Sequence, residues 1–215
     1  VMRTEELIAE LSRGLPPVRP LPGPCTLAMR WLAIAVVVVA LAVACFGLRH
    51  DLAARLAAGP DLRQMAAAGL TGVLAAIAAF QLSFPDRDPR WALLPLPAFG
   101  FWLADLGWGC LQDFARLGPE GLQLTWSFPC LGFILGFGLP LSLAMAWLGR
   151  HAAPLRPVPV AALGGLAAAS IANVGLVLTH HLDAALEALV WHGLAVLVTT
   201  AAAALLGPRV MRAAA

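Results

Sequence analysis

This 215-residue sequence has no lysine: all 14 of its basic side chains are arginine. Charge of either sign is scarce, with only 12% of residues charged and a net of +2. That is too little to coat a soluble domain of this length, for which about a quarter of residues is usual. Catalytic patterns are absent as well. There is no nucleophile elbow, no Gly-rich phosphate loop, no HExxH and no carboxylate pair in a polar segment, so nothing here reads as an enzyme. The 4 cysteines lack CxxC spacing. No basic patch with interleaved aromatics occurs, and nucleic-acid binding has no support.

What fills the chain instead is apolar residue, 60% of the total, with a mean hydropathy of +0.83. The apolar residues fall into runs. Crossing the hydrocarbon core takes roughly 20 apolar residues as a helix, and only a helix satisfies its own backbone segment by segment in lipid. Six runs have this length: Thr26–Leu48, Met65–Phe84, Trp91–Leu111, Phe128–Leu148, Val158–Thr179 and Ala184–Leu206. The expected fold is an all-α integral membrane bundle of six transmembrane helices over 26–215, preceded by a cytoplasmic tail over 1–25.

Arginine gives the direction. Arg3, Arg13, Arg19, Arg30, Arg87, Arg90, Arg150, Arg156, Arg209 and Arg212 fall on one side of such a bundle. Arg49, Arg55, Arg63 and Arg116 fall on the other. By the positive-inside rule both termini are cytoplasmic, although the first outer loop, with Arg49, Arg55 and Arg63, runs against the trend. Trp31 and Trp91 near cytoplasmic ends, and Trp108 and Trp126 near outer ends, suit interfacial anchoring. Small residues along the fifth run (Gly164, Gly165, Ala168, Ser170, Ala172) point to close helix contact, and Pro140 points to a kink in the fourth.

In the tail, Thr4 suits an N-cap, Glu5 and Glu6 a first turn and Gly14 a stop. Leu7, Ile8 and Leu11 share one helical face, and Glu5, Glu6 and Glu10 make the other face acidic. Five prolines between Leu15 and Pro24 then form an extended tether. A helix this short needs a surface to lie on. The bilayer is one such surface; a groove in a partner protein is the other, and the acidic face favours a basic partner.

At the outer face, Cys110, Cys130, Asp113, His180 and His181 gather from three segments, with Cys45 and His50 near the end of the first span. They read as packing, as a Cys110–Cys130 disulfide or as a site for a soft or borderline ion such as zinc, copper or cadmium. Asp105, Glu187 and His192 lie within spans. They read as a structural polar cluster or, in a small cation or proton transporter or channel, as a relay.

Three segments together carry a resemblance. They are Thr4-Glu-Glu-Leu-Ile-Ala-Glu-Leu11 with Pro17-Val-Arg-Pro-Leu21, then Leu106-Gly-Trp-Gly-Cys-Leu-Gln-Asp113, then Leu189-Val-Trp-His-Gly-Leu-Ala-Val196 ending in Leu205-Leu-Gly-Pro-Arg209. In this order the chain resembles the NrsF-type bacterial membrane anti-sigma factors. The resemblance implies an inner-membrane protein that needs no cofactor. Its tail, through Leu7, Ile8, Leu11, Glu6, Glu10, Val18 and Arg19, would hold an extracytoplasmic-function sigma factor until metal or oxidative stress releases it. It also implies outer-face sensing cysteines. Cys130 matches one, whereas His180 stands where the second is expected.

Overall fold

The structure is a computed structural model, and it describes residues 3–15, 20–124, 126–152, 154–180 and 185–213. Among the described residues every regular element is helical. The tail helix α1 (Thr4–Arg13) comes first. The body follows as α2 (Pro24–Phe46), the short α3 (Leu52–Ala58), α4 (Pro60–Leu82), α5 (Leu96–Leu117), α6 (Phe128–Leu148), α7 (Pro157–Thr179), α8 (Ala185–Glu187) and α9 (Gly193–Ala213). A π-helical turn over Ala188–His192 joins α8 to α9 in one continuous rod.

Proline sets most of the starts. It lies in the first turn of α2, α4, α5, α6 and α7, where its missing N–H costs nothing and its fixed φ favours helix. α6 continues through Pro140 and the last rod through Pro208. Gly59, at φ +98, closes α3 and leads straight into α4, a backbone angle that side-chain-bearing residues resist. In α1 the helix begins one residue earlier than the sequence pattern suggests: Arg3 takes the N-cap position and donates its backbone N–H to Glu6 Oε2 at 3.1 Å.

Five helices, not six, are long and apolar enough to cross a membrane: α2, α4, α6, α7 and the last rod from Ala185 to Met211. The expected third span differs. Its first residues form a 3₁₀ turn, Pro89–Leu93, and α5 then runs to Leu117. That register takes in Gln112, Asp113 and Arg116 besides Asp105, which dilutes its apolar character. α5 nevertheless runs the length of the bundle. Its leading turn packs on the end of α4, and Asp105 is reached by Arg63 from the start of α4.

α4 and α7 form the centre. Buried residues make up 61% and 67% of their apolar stretches, against 22–28% for the other three spans. α7 touches α2, α4, α6 and α9, and it can do so because most of its inward positions are Ala, Gly or Ser. Large side chains go outward instead: Val36, Val37 and Leu41 on α2, Phe101 on α5, Leu143 on α6, Leu197 and Leu205 on α9 are exposed. An apolar exterior of this extent suits lipid. The protein is a membrane protein.

Two apolar clusters divide the core along its length. Trp31, Phe80, Leu141 and Met145 mark the end from which α2 starts, hereafter the near end. Trp102, Leu106, Cys130, Ile134 and Leu176 mark the opposite, far end. Trp31 corrects one expectation, since it is fully buried and its indole N–H donates to the Leu141 carbonyl at 2.9 Å. It pins α2 to α6 rather than facing the interface. Trp108 and Trp126 are exposed at the far end, as interfacial anchoring requires.

α7 and α9 approach closely at Gly165, where a Cβ would lie 2.7 Å from Ala203 Cβ and 2.8 Å from Thr200 Cα. Gly165→Ala is expected to destabilise the bundle by about 1–3 kcal/mol through overpacking. Gly132→Ala, with nothing within 4 Å, should be neutral or stabilising by up to about 1 kcal/mol. Thermal unfolding of both variants in detergent checks the pair.

Candidate functional site

The far end concentrates most of the chemistry. Its hub is Arg49, an arginine with a side chain only 2% exposed. The chain leaves α2 at Gly47, φ +79, and turns inward, so that Arg49 N–H donates to the Leu178 carbonyl of α7 at 3.0 Å. The guanidinium then binds Asp51 with two hydrogen bonds, 2.8 and 2.9 Å, and lies 3.6 Å from Asp61. Asp61 in turn accepts two bonds from Arg55, at 3.0 and 3.2 Å. A fork facing a carboxylate is the strongest pairing these groups can make, and burial makes it obligatory. The sequence reading missed this hub. The signal is the alternation of Arg49, Asp51, Arg55 and Asp61 along one loop.

Beside the hub, Gln64, His180 and His192 join Arg49 and Asp61 around a space of about 30 Å3, room for one water. His192 is buried, and its Nε2 has no hydrogen-bond partner. The π turn accounts for its position. One extra residue per turn directs both Trp191 and His192 inward, a distortion that recurs at functional sites. Trp191 closes over the end of the bundle with Trp126 and Phe128, ring centroids 5.7 and 6.1 Å away.

The cysteines are separate features. Cys130 is fully buried among Trp102, Leu106, Ile134 and Leu176, with its sulfur 2.8 Å from Ser127 Oγ. Cys110 is half-buried on α5, and all four cysteines are free thiols. Asp113, one turn beyond Cys110, accepts the backbone N–H of Ala185 at 3.3 Å and so ties the end of α5 to the start of the last rod. Among the described residues no three His, Cys, Asp or Glu side chains come together closely enough to hold a metal ion. His181 lies outside the described residues, as do Val18 and Arg19 of the tail.

The three intramembrane groups have different surroundings. Asp105, with a side chain 9% exposed, accepts a bond from Arg63 Nε at 3.0 Å. His192 turns to the Arg49–Asp61 space, and Glu187 sits half-buried one residue before the π turn. The pairings also explain the arginines that ran against the charge asymmetry. Arg49, Arg55 and Arg63 are each bound to an aspartate.

At the near end the tail helix presents its stripe to solvent. Leu7, Ile8 and Leu11 are 42%, 62% and 65% exposed, and no residue of α1 is buried. Glu10 pairs with Arg13 at 2.8 Å. The stripe of this ten-residue helix is left uncovered by the rest of the protein.

The family model described as "Negative regulator of sigma F", NrsF, matches residues 11–212. The chain belongs to the NrsF family. Membership makes it a negative regulator of a sigma factor. The match spans Leu11, the proline-rich tether and the whole bundle, while Leu7 and Ile8 precede it. No curated protein and no solved structure matches.

Arg63 is half exposed and Asp105 is not, so losing the arginine strands a carboxylate. Arg63→Leu is expected to cost about 1–2 kcal/mol, between the values for surface and buried pairs. Adding Asp105→Leu should restore most of it. Thermal unfolding of the two single variants and the double variant measures the coupling.

Proposed function

We propose that this NrsF-family protein holds an extracytoplasmic-function sigma factor at the bacterial inner membrane through α1, and releases it when stress is registered at the far end. The observation that carries this reading is the exposed Leu7–Ile8–Leu11 stripe on an acidic helix. It is an apolar surface with complementary charge for a basic partner, joined to a membrane bundle by a proline-rich tether. Glu6 and Glu10 flank the stripe and set the charge preference; Val18 and Arg19 follow on the tether.

In this reading both termini are cytoplasmic. Support comes from α5, which returns along α4 despite its weaker apolar character, its Asp105 neutralised by Arg63. Support comes also from the arginines, which are more numerous at the near end than at the far end. The periplasmic face then holds Cys110, Cys130 and His180. Metal or oxidative stress would reach the half-buried Cys110 before the enclosed Cys130. Zinc, copper or cadmium would need donors beyond the described residues, so the proposed sensing step rests on the thiols.

The tail assignment is tested by capture of the sigma factor from a pull-down with the full chain and with Leu7→Asp/Leu11→Asp. The variant should lose at least about a hundredfold in affinity, the scale for two buried leucines each worth about 1.5–3 kcal/mol. Undiminished capture would reject α1 as the binding element. Orientation has its own test. A membrane-impermeant maleimide should label Cys25, exposed at the start of α2, in inverted vesicles and not in spheroplasts. Labelling only in spheroplasts would reverse the topology.

A further inference from the structure

We infer that the near end of the bundle binds one acyl chain of an anionic phospholipid in a cleft between α6, α7 and α9. The cleft measures about 200 Å3, and its lining includes Met145, Ala161 and Ala203 with Leu143 and Leu206. Leu143 and Leu206 are more than half exposed, so the opening faces the outside of the bundle. All three helices that form it are among those long and apolar enough to cross a membrane, which puts lipid tails at the opening.

The chemistry of the lining selects an apolar guest. Its hydroxyls are already used: Ser83 Oγ donates to the Ala79 carbonyl at 2.9 Å, and Ser142 Oγ to the Gly138 carbonyl at 2.8 Å. A polar ligand would find few free partners and would lose its own hydration. An engineered apolar cavity of about 150 Å3 takes benzene; this cleft is of the size for a segment of acyl chain. A helix, about 10 Å across with side chains, is too wide for it. That excludes α1 as the guest, although its acidic face would match the charge nearby.

The headgroup preference comes from the mouth. Gly149 and Met211 line the cleft, and arginines flank both. Arg150 follows Gly149; its guanidinium stacks on Trp147 at 4.1 Å, and Nη1 donates to the Trp147 carbonyl at 2.7 Å. Arg156 caps α7, one turn before Val160 of the lining. Arg209, on α9 two residues before Met211, donates to the Leu205 carbonyl at 3.2 Å. Neither 149–156 nor 207–213 contains an acidic residue, and the two that follow the lining residue Ser83, Asp86 and Asp88, are engaged with Arg87 and with the Arg90 backbone. Basic groups at a membrane surface attract anionic lipid headgroups, and here they lie next in sequence to residues that line an apolar slot.

This inference rests on the membrane location and not on the sigma-factor partner. Its test is native mass spectrometry of the full chain in detergent, incubated with phosphatidylglycerol or with phosphatidylcholine of the same chain length. The wild type should retain phosphatidylglycerol at least about fivefold better, the scale for one basic contact at a membrane surface. Arg150→Gln/Arg209→Gln should abolish the preference. Ala202→Leu, which fills the cleft from α9, should lower retention of both lipids, with circular dichroism confirming an intact helical fold. The arginine variant keeps the test decisive if the cleft variant fails to fold. Equal retention of the two lipids by the wild type overturns the proposal. So does undiminished retention by folded Ala202→Leu.

Discussion

The bundle depends on how closely α7 approaches its neighbours. At Gly165 the α9 backbone comes within reach of where a Cβ would be. At Gly164 the thioether of Met145 occupies the same kind of space, 2.9 Å from a built Cβ. No hydrophobic effect drives helices together in lipid, so contact area and packing must do it. A helix that contacts four others has to be narrow all round, and α7 is narrow because Ala167, Ala168, Ala169, Ser170 and Ala172 continue what the glycines begin. The consequence appears on the outside. With the centre filled by small residues, the leucines, valines and phenylalanines of α2, α5, α6 and α9 have no inward place, and their exposure is what makes the protein a membrane protein.

An apolar body built this way tolerates ionisable groups only under tight conditions, and the two ends meet those conditions differently. At the far end Arg49, Arg55 and Arg63 are held by Asp51, Asp61 and Asp105. A guanidinium 2% exposed, such as that of Arg49, persists because its fork is matched by a carboxylate and a second acid lies close. At the near end Arg150 and Arg209 rest on their own helix ends, bonded to backbone carbonyls, Arg150 partly exposed and Arg209 exposed. They remain available to anionic groups outside the protein. The asymmetry between the ends therefore lies also in burial: Asp61 and Asp105 are largely enclosed, whereas the near-end pairs Arg3–Glu5, Arg13–Glu10 and Arg87–Asp86 are open to the surface.

Much of this was legible in one dimension. The run Phe128–Leu148 coincides with α6, the fifth run matches α7 within a residue, and the tail pattern gave the helix that ends before Gly14. These readings rest on local properties, length and periodicity, that a sequence states directly. The misses share the opposite cause. α5 was placed five residues early because apolar Trp91 and Leu93 look like span, whereas Pro95 and Pro97 decide where a helix can begin. Trp31 read as an anchor because nothing local announces Leu141, 110 residues on, as its hydrogen-bond partner. Asp105 read as a relay candidate because Arg63, 42 residues earlier, is invisible until α4 and α5 lie side by side. The π turn at Ala188–His192 has no sequence signature at all, yet it decides where Trp191 and His192 point.

The same geometry limits how the far end and the tail can communicate. α1 buries no residue, so a change in the bundle has no packed contact through which to alter the helix itself. The tether adds little leverage, since proline-rich chain acts as a spacer rather than a lever. A ligand-dependent change in affinity requires a surface that differs between two states and touches the ligand. For a partner held by α1, that surface is the near end: the start of α2, the ends of α4, α6 and α9, and the arginines around them. Rods that run the full depth connect it to the far end, above all α7, which carries the Leu178 carbonyl bound by Arg49 at one end and the cleft-lining Val160 and Ala161 at the other. Under the proposed function, sensor and tail would be linked through what the partner meets on the bundle beneath it, and that requires the bound partner to sit close to the membrane.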